Sequence, residues 1–174
     1  KPYFFKSWNP VDAAVEMRMV GRATAASPTF FEPARVAVGG TLRALIDGGV
    51  FINNPAMSAY AESQVMFPGE SAFVVSLGTG QLVRPIRYDD AKDWGKTGWV
   101  MQLLDVMFDG VGDAVDYQLC AVLGDEFRRL QIELTTASDD LDDASAENIA
   151  ALTDEAKRLI RLQKNDLDAI CDRL

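Results

Sequence analysis

A short apolar run, Leu45-Ile46, ends in Asp47-Gly48-Gly49, and Asn53-Asn54-Pro55 follows four residues later. Such a layout brings one carboxylate to the end of a strand, turns the chain sharply behind it, and starts a helix. The glycines let other backbone approach the carboxylate closely. Asp-Gly is also an ordinary turn dipeptide, so the stretch taken alone reads first as a turn and only second as a catalytic site.

The flanking segments give this stretch its setting. Tyr3 to Trp8 is aromatic-rich and reads as a strand closed by Asn9-Pro10. Val11 to Ala25 reads as one helix, with Val11, Val15 and Met19 at four-residue steps, ended by Ser27-Pro28. Arg35 to Val38 and Thr41 to Ile46 predict the two arms of a hairpin around Gly39-Gly40, the second arm running into Asp47. Asn53 or Asn54 can cap a helix whose first position is Pro55 and which packs through Met57, Tyr60, Ala61 and Val65. Ala72 to Leu77 is a nearly continuous apolar run, as in a strand covered on both faces, and Gly78-Thr79-Gly80 ends it. This alternation predicts an α/β layered fold.

The remainder changes character. Residues 81–96 read as an irregular surface connection. Helices are expected from Thr97 to Phe108 and from Asp113 to Leu123, broken by Asp109-Gly110-Val111-Gly112. Phe127 to Leu134 reads as a strand, Ser138 to Glu147 as an acidic loop, and Thr153 as the cap of a last helix. With no repeat and no linker, residues 1–80 are expected to form core and 81–174 a mostly helical extension packed on the same domain.

Charge and composition exclude whole classes of function. A net charge of −9 is the wrong sign for nucleic acid and for a polybasic membrane contact. Transient contact with an apolar or neutral lipid surface stays open. The sequence has no histidine, which removes Ser-His-Asp and Cys-His mechanisms within this chain and the usual nitrogen ligands of metals. No cofactor and no metal are expected.

Cys120 and Cys171 are expected as buried free thiols. The acidic loop lacks the glycine and terminal glutamate of an EF-hand, and Gly78-Thr79-Gly80 is too short for a phosphate loop. None of the serines sits in Gly-x-Ser-x-Gly, the strained turn that exposes a nucleophile. The residues alone therefore offer a candidate base without a nucleophile. The first residue, Lys1, opens directly into Pro-Tyr-Phe-Phe, and a further N-terminal portion is expected upstream.

Three segments resemble one family. Arg22-Ala-Thr-Ala-Ala-Ser-Pro-Thr-Phe-Phe-Glu-Pro33, Asp47-Gly-Gly-Val-Phe-Ile-Asn-Asn-Pro-Ala56 and Val75-Ser-Leu-Gly-Thr-Gly80 are similar, in order and spacing, to segments of the patatin-like phospholipases. Val115-Asp-Tyr-Gln118 and Arg129-Leu-Gln131 resemble the tail of bacterial members.

The resemblance implies a three-layer α/β/α fold, of which this chain would be the C-terminal portion. It also implies a lipid acyl hydrolase working by a Ser-Asp dyad, acting on a lipid or ester substrate. The base is carried onto Asp47, with Gly48 and Gly49 shaping the backbone and Asn53 or Asn54 capping the next helix. The nucleophile and the oxyanion loop would belong to an N-terminal fragment, so this chain alone is expected to be inactive. The other reading is a non-catalytic interaction or regulatory module that kept the scaffold and lost the nucleophile. A dyad base must hold a pKa above that of a free aspartate, so Asp47 is expected to be substantially buried, at a strand end, facing a cleft.

Overall fold

The structure is a computed structural model that describes every residue except 84, and the backbone alone at 97, 100, 101, 104 and 105. The 81–96 connection therefore lies outside the described residues at position 84. The chain is mixed α/β. It divides into two units, residues 1–55 with 102–114, and residues 56–101 with 115–174.

In the first unit, the Asn9 side chain accepts the Val11 amide at 3.0 Å and Pro10 takes the opening position of α1 (Pro10–Ala13). The expected single helix is broken in two: Glu16 leaves helical geometry (ψ 132°), and α2 (Met17–Thr24) starts afresh behind it. The strand expected at Tyr3 to Trp8 does not form. Its polar anchor is instead the buried Asp12 of α1, which accepts the Tyr3 hydroxyl and, at 3.2 Å, the Lys6 amide. The Tyr3 and Phe5 rings meet edge to face at 5.0 Å and pack on the core, while Phe4 and Trp8 stay exposed.

The hairpin forms as expected. Gly39 and Gly40 both take positive φ (56° and 76°), the requirement of a two-residue turn whose hand matches strand twist. They join β1 (Ala34–Val38) to β2 (Thr41–Leu45) in antiparallel register from Ala34↔Leu45 to Val38↔Thr41. β1 alternates strictly, placing Ala34, Val36 and Val38 inward against Ala23 and Ala26. The small side chains of α2 and the loop after it let this helix lie close on the hairpin.

The second unit is built around a parallel pair. β3 (Val74–Leu77) runs beside β4 (Phe127–Leu130), from Val74↔Phe127 to Leu77↔Leu130, with one further bridge between Gln81 and Glu133. α3 (Ala56–Met66) begins directly after Pro55. It packs Met57 and Tyr60 on the cluster Ala56, Val115, Leu119 and Phe127, whereas Ala61 and Val65, expected on the same face, are exposed. β4 is shorter than the expected strand to Leu134, because the Gln131 side chain takes the Ile132 amide at 3.1 Å.

α4 (Tyr88–Ala91) is a single turn, and α5 (Gly95–Leu123) is one helix of 29 residues. The break expected at Gly110 and Gly112 is absent, since neither glycine takes a positive φ. A glycine inside a helix costs only about 1 kcal/mol, less than ending and restarting the helix would. Trp99, Leu103 and Met107, expected as a packing stripe, are exposed, and the Trp99 ring stands edge to face with Trp94 at 5.2 Å. The helix ends where expected, at Gly124 with φ 51°.

α6 (Ala146–Leu162) starts seven residues before Thr153, because Ser145 caps it by accepting the Asn148 amide at 3.2 Å. α7 (Lys164–Cys171) follows. Cys120 and Cys171 are free thiols, as expected, but both are exposed rather than buried, lying on the outer faces of α5 and α7.

Candidate active site around Asp47

Asp47 sits two residues beyond the end of β2, at the entrance to a single 3-10 turn formed by Gly48, Gly49 and Val50. Two backbone bonds fix it. Its amide donates to the Ala26 carbonyl at 3.0 Å, and its carboxylate accepts the Gly49 amide at 2.7 Å. The first bond ties the loop after α2 to the end of the hairpin; the second closes an Asx-type turn that sets the side-chain direction.

Two of the three resembling segments therefore meet in space. Arg22 to Pro33 supplies the carbonyl that holds the Asp47 backbone, and the sequence of that segment explains why it can. Ala23 and Ala26 are buried against the hairpin, so the loop passes close to the end of β2. Arg22 holds the far end of the loop. Its guanidinium donates to the Glu32 carbonyl at 2.8 Å and lies over the Phe31 ring at 5.4 Å.

The glycines act through space rather than through unusual dihedrals, since neither Gly48 nor Gly49 takes a positive φ. A Cβ on Gly48 would stand 3.3 Å from the Thr24 hydroxyl. A Cβ on Gly49 would stand 3.1 Å from Asp47 Oδ1 and 3.4 Å from Asn53 Oδ1. The distances to Thr24 and to Asp47 Oδ1 are tighter than most side-chain contacts, so an added methyl would make these neighbours shift by a few tenths of an ångström. The Thr24 hydroxyl crowds Gly48, and the Asp47 carboxylate crowds Gly49.

Asp47 is half-buried, less covered than the expected substantial burial. The two residues that follow it bear no side chains to shield it. Asn54 is buried, at 4% exposure, while Asn53 is exposed and has its side-chain oxygen over Gly49. Ile46, Val50 and Phe51, next to the turn in sequence, and Phe30 and Phe31, in the loop after α2, are exposed apolar side chains.

The third resembling segment has its own cluster, in the second unit. Ser76 faces inward from β3 and accepts the Arg129 guanidinium at 2.8 Å, and Arg129 Nε stands 3.2 Å from the Asp116 carboxylate. Gln131 accepts the Gly80 amide at 2.8 Å. Asp116, Arg129 and Gln131 come from the two tail segments whose resemblance is weaker, and the fold joins both to the Val75 to Gly80 segment. Sequence spacing could not reveal this, because 40 residues separate Ser76 from Asp116. Among the described residues no group of three acidic or cysteine side chains is arranged to hold a metal ion.

No family model matches the chain, and no solved structure matches it. Two proteins of Arabidopsis thaliana do. Patatin-like protein 3 is 28% identical over 195 aligned positions, covering 92% of this chain and 46% of that protein. Patatin-like protein 2 is 28% identical over 156 positions, covering 74% of this chain and 38% of that protein. The chain is thus similar to patatin-like proteins and spans less than half the length of these relatives. Both are plant proteins, and they do not carry the expected bacterial type.

Proposed function

We propose that this chain supplies the general base of a Ser-Asp dyad in a lipid acyl hydrolase, with Asp47 as that base. The observation that carries the reading is the seat of Asp47. Its backbone is pinned to the Ala26 carbonyl and its carboxylate is aimed by the Gly49 amide, within two segments that resemble the patatin-like phospholipases. The likeness to two patatin-like proteins supports it.

The serine belongs to a Gly-x-Ser-x-Gly turn on an N-terminal segment outside these 174 residues. Its hydroxyl attacks the ester carbonyl while Asp47 accepts the proton. Asp47 then delivers that proton to the leaving alcohol, and water repeats the sequence on the acyl-enzyme. The N-terminal segment also completes a three-layer α/β/α fold. The outward face of β3 supports this, since Val75 and Leu77 (73% exposed) present apolar side chains where parallel sheets are normally covered.

The test uses the complete protein that carries this chain. Asp47→Ala and Asp47→Asn should each lower hydrolysis of phosphatidylcholine and of a p-nitrophenyl ester by about 10²–10⁴-fold, the usual contribution of a positioned base. The isolated 174-residue chain should hydrolyse neither. Undiminished hydrolysis by either variant would overturn the assignment.

A further inference from the structure

We propose that the loop from Ser27 to Pro33 docks the protein onto a phosphatidylcholine bilayer. Phe30 and Phe31 enter the boundary between headgroups and acyl chains, and Arg22 meets the lipid phosphates. The loop hangs between two buried alanines, Ala26 (0% exposed) and Ala34 (5%), yet every residue from Pro28 to Pro33 is exposed. A single exposed phenylalanine needs no explanation, but two in succession on a firmly built turn do.

Three constraints hold the rings in that position. The Ser27 carbonyl accepts the Phe30 amide at 3.2 Å and the Phe31 amide at 2.9 Å. Pro28 and Pro33 restrict φ at the two ends of the loop. Thr29 takes φ 76°, and among the described residues it is the one non-glycine in the left-handed region. A β-branched side chain disfavours that conformation, so the chain holds a strained turn to present two apolar rings to solvent. Strain of this kind collects at segments that contact ligands.

Charge selects the partner. From Met17 to Arg35 the basic side chains are Arg18, Arg22 and Arg35, and the acidic one is Glu32. Residues 1–55 carry six basic and four acidic side chains, against eleven and twenty-two in residues 56–174, so the loop belongs to the basic part of an acidic chain. Arg18 is paired with Glu16, which leaves Arg22 as the cation beside the rings. Its guanidinium lies over the Phe31 ring at 5.4 Å and gives one of its five N–H donors to the Glu32 carbonyl at 2.8 Å. A guanidinium stacked on an inserted ring sits at the depth of the phosphate layer and matches phosphate geometry. The net charge of −9 repels an anionic surface at longer range, so a zwitterionic surface fits best.

The docking loop begins one residue after Ala26, whose carbonyl holds the Asp47 amide, but docking itself needs no catalysis. Vesicles of dialkyl ether phosphatidylcholine, which has no ester to cleave, therefore test it separately from the hydrolase reading. The complete protein that carries this chain should float with them. Phe30→Ser with Phe31→Ser should lower the partition coefficient at least about tenfold, the usual effect of keeping apolar rings in water. Arg22→Ala should lower it about threefold. Both rings are exposed, so the double variant should unfold at the wild-type temperature. In Phe31→Trp, brominated acyl chains should quench more tryptophan emission than in wild type.

Failure of the wild type to float, or equal flotation of the double variant, would overturn the proposal. Flotation with phosphatidylglycerol vesicles alone would also overturn it, because the contact would then be one of charge. So would a wild-type dimer that the double variant dissolves, since the rings would then cover a second copy. A wild type that floats through these rings but hydrolyses no ester-linked phosphatidylcholine would keep the docking surface and count against the hydrolase reading.

Discussion

Glu155 Oε1 accepts both the amide and the hydroxyl of Thr135, at 2.8 and 2.7 Å, so α6 is clamped to the loop after β4 by one carboxylate oxygen. The Thr136 amide adds a third donor at 3.1 Å, and Arg158 bonds the other oxygen at 2.7 Å. These donors suit only the charged form. The Thr135 hydroxyl leads, followed by its amide, and together with Arg158 and Thr136 they hold the carboxyl at about 2, from an ordinary value of 4.5.

That depression fixes the sign of a pH effect. The folded-state value lies below the unfolded one, so the contribution of Glu155 to stability is fully present above about pH 4.5 and is lost as pH falls toward 2. Thermal unfolding followed from pH 7 to pH 2.5 should show wild type losing stability in this window. Glu155→Gln should start from a Tm lower by on the order of 5 °C at pH 7 and lose less below pH 4.5. Parallel pH curves for the two proteins would refute the clamp.

Gly78 and Gly80 should differ in a predictable order. A Cβ on Gly78 would overlap the Gln131 amide, a flexible group that can swing away at the expense of its bonds to the Gly80 and Ile132 amides. Gly78→Ala should therefore cost about 1–2 kcal/mol in denaturant unfolding. Gly80 takes φ 91°, and a Cβ there would run into the Leu134 side chain as well. Gly80→Ala should cost more, about 2–4 kcal/mol, from backbone strain and overpacking together. Adding Gln131→Ala should shrink the Gly78→Ala penalty and leave that of Gly80→Ala.

Gly49→Ala separates folding from chemistry. The added methyl would press on Asp47 Oδ1 at 3.1 Å, and the φ of Gly49 suits alanine, so the turn itself survives. Urea unfolding should change by less than about 1 kcal/mol. In the complete protein, ester hydrolysis should fall at least about tenfold if Asp47 is the base proposed above, because its carboxylate is displaced. An active Gly49→Ala protein would show that the Asp47 geometry seen here is not needed for catalysis.

Much of the local structure was legible in the sequence, and for local reasons. Gly39-Gly40 set the hairpin because the turn itself demands positive φ, and β1 alternates as its residues do. Gly124 ended α5 for the same reason. Failures came where a distant contact outweighed a local signal. Tyr3 to Trp8 has strand propensity but packs by its rings around Asp12, and Gly110 and Gly112 lie inside a helix long enough to absorb them. Thr153 is a good cap residue, yet Ser145 lies upstream and the helix had already begun.

The sequence by itself determined that an aspartate flanked by two glycines follows a hairpin, that no histidine accompanies it, and that three segments resemble the patatin-like phospholipases. Tertiary structure alone decided what those glycines are for. They are kept free of side chains by Thr24 and by Asp47 and Asn53, residues whose closeness to them depends on how α2 packs and the turn folds. Nor could spacing show that Ala26 holds the Asp47 backbone or that Arg129 joins Ser76 to Asp116. Dihedral preferences belong to each residue and its neighbours and can be read along the chain, whereas close approach between segments exists only once the chain has packed.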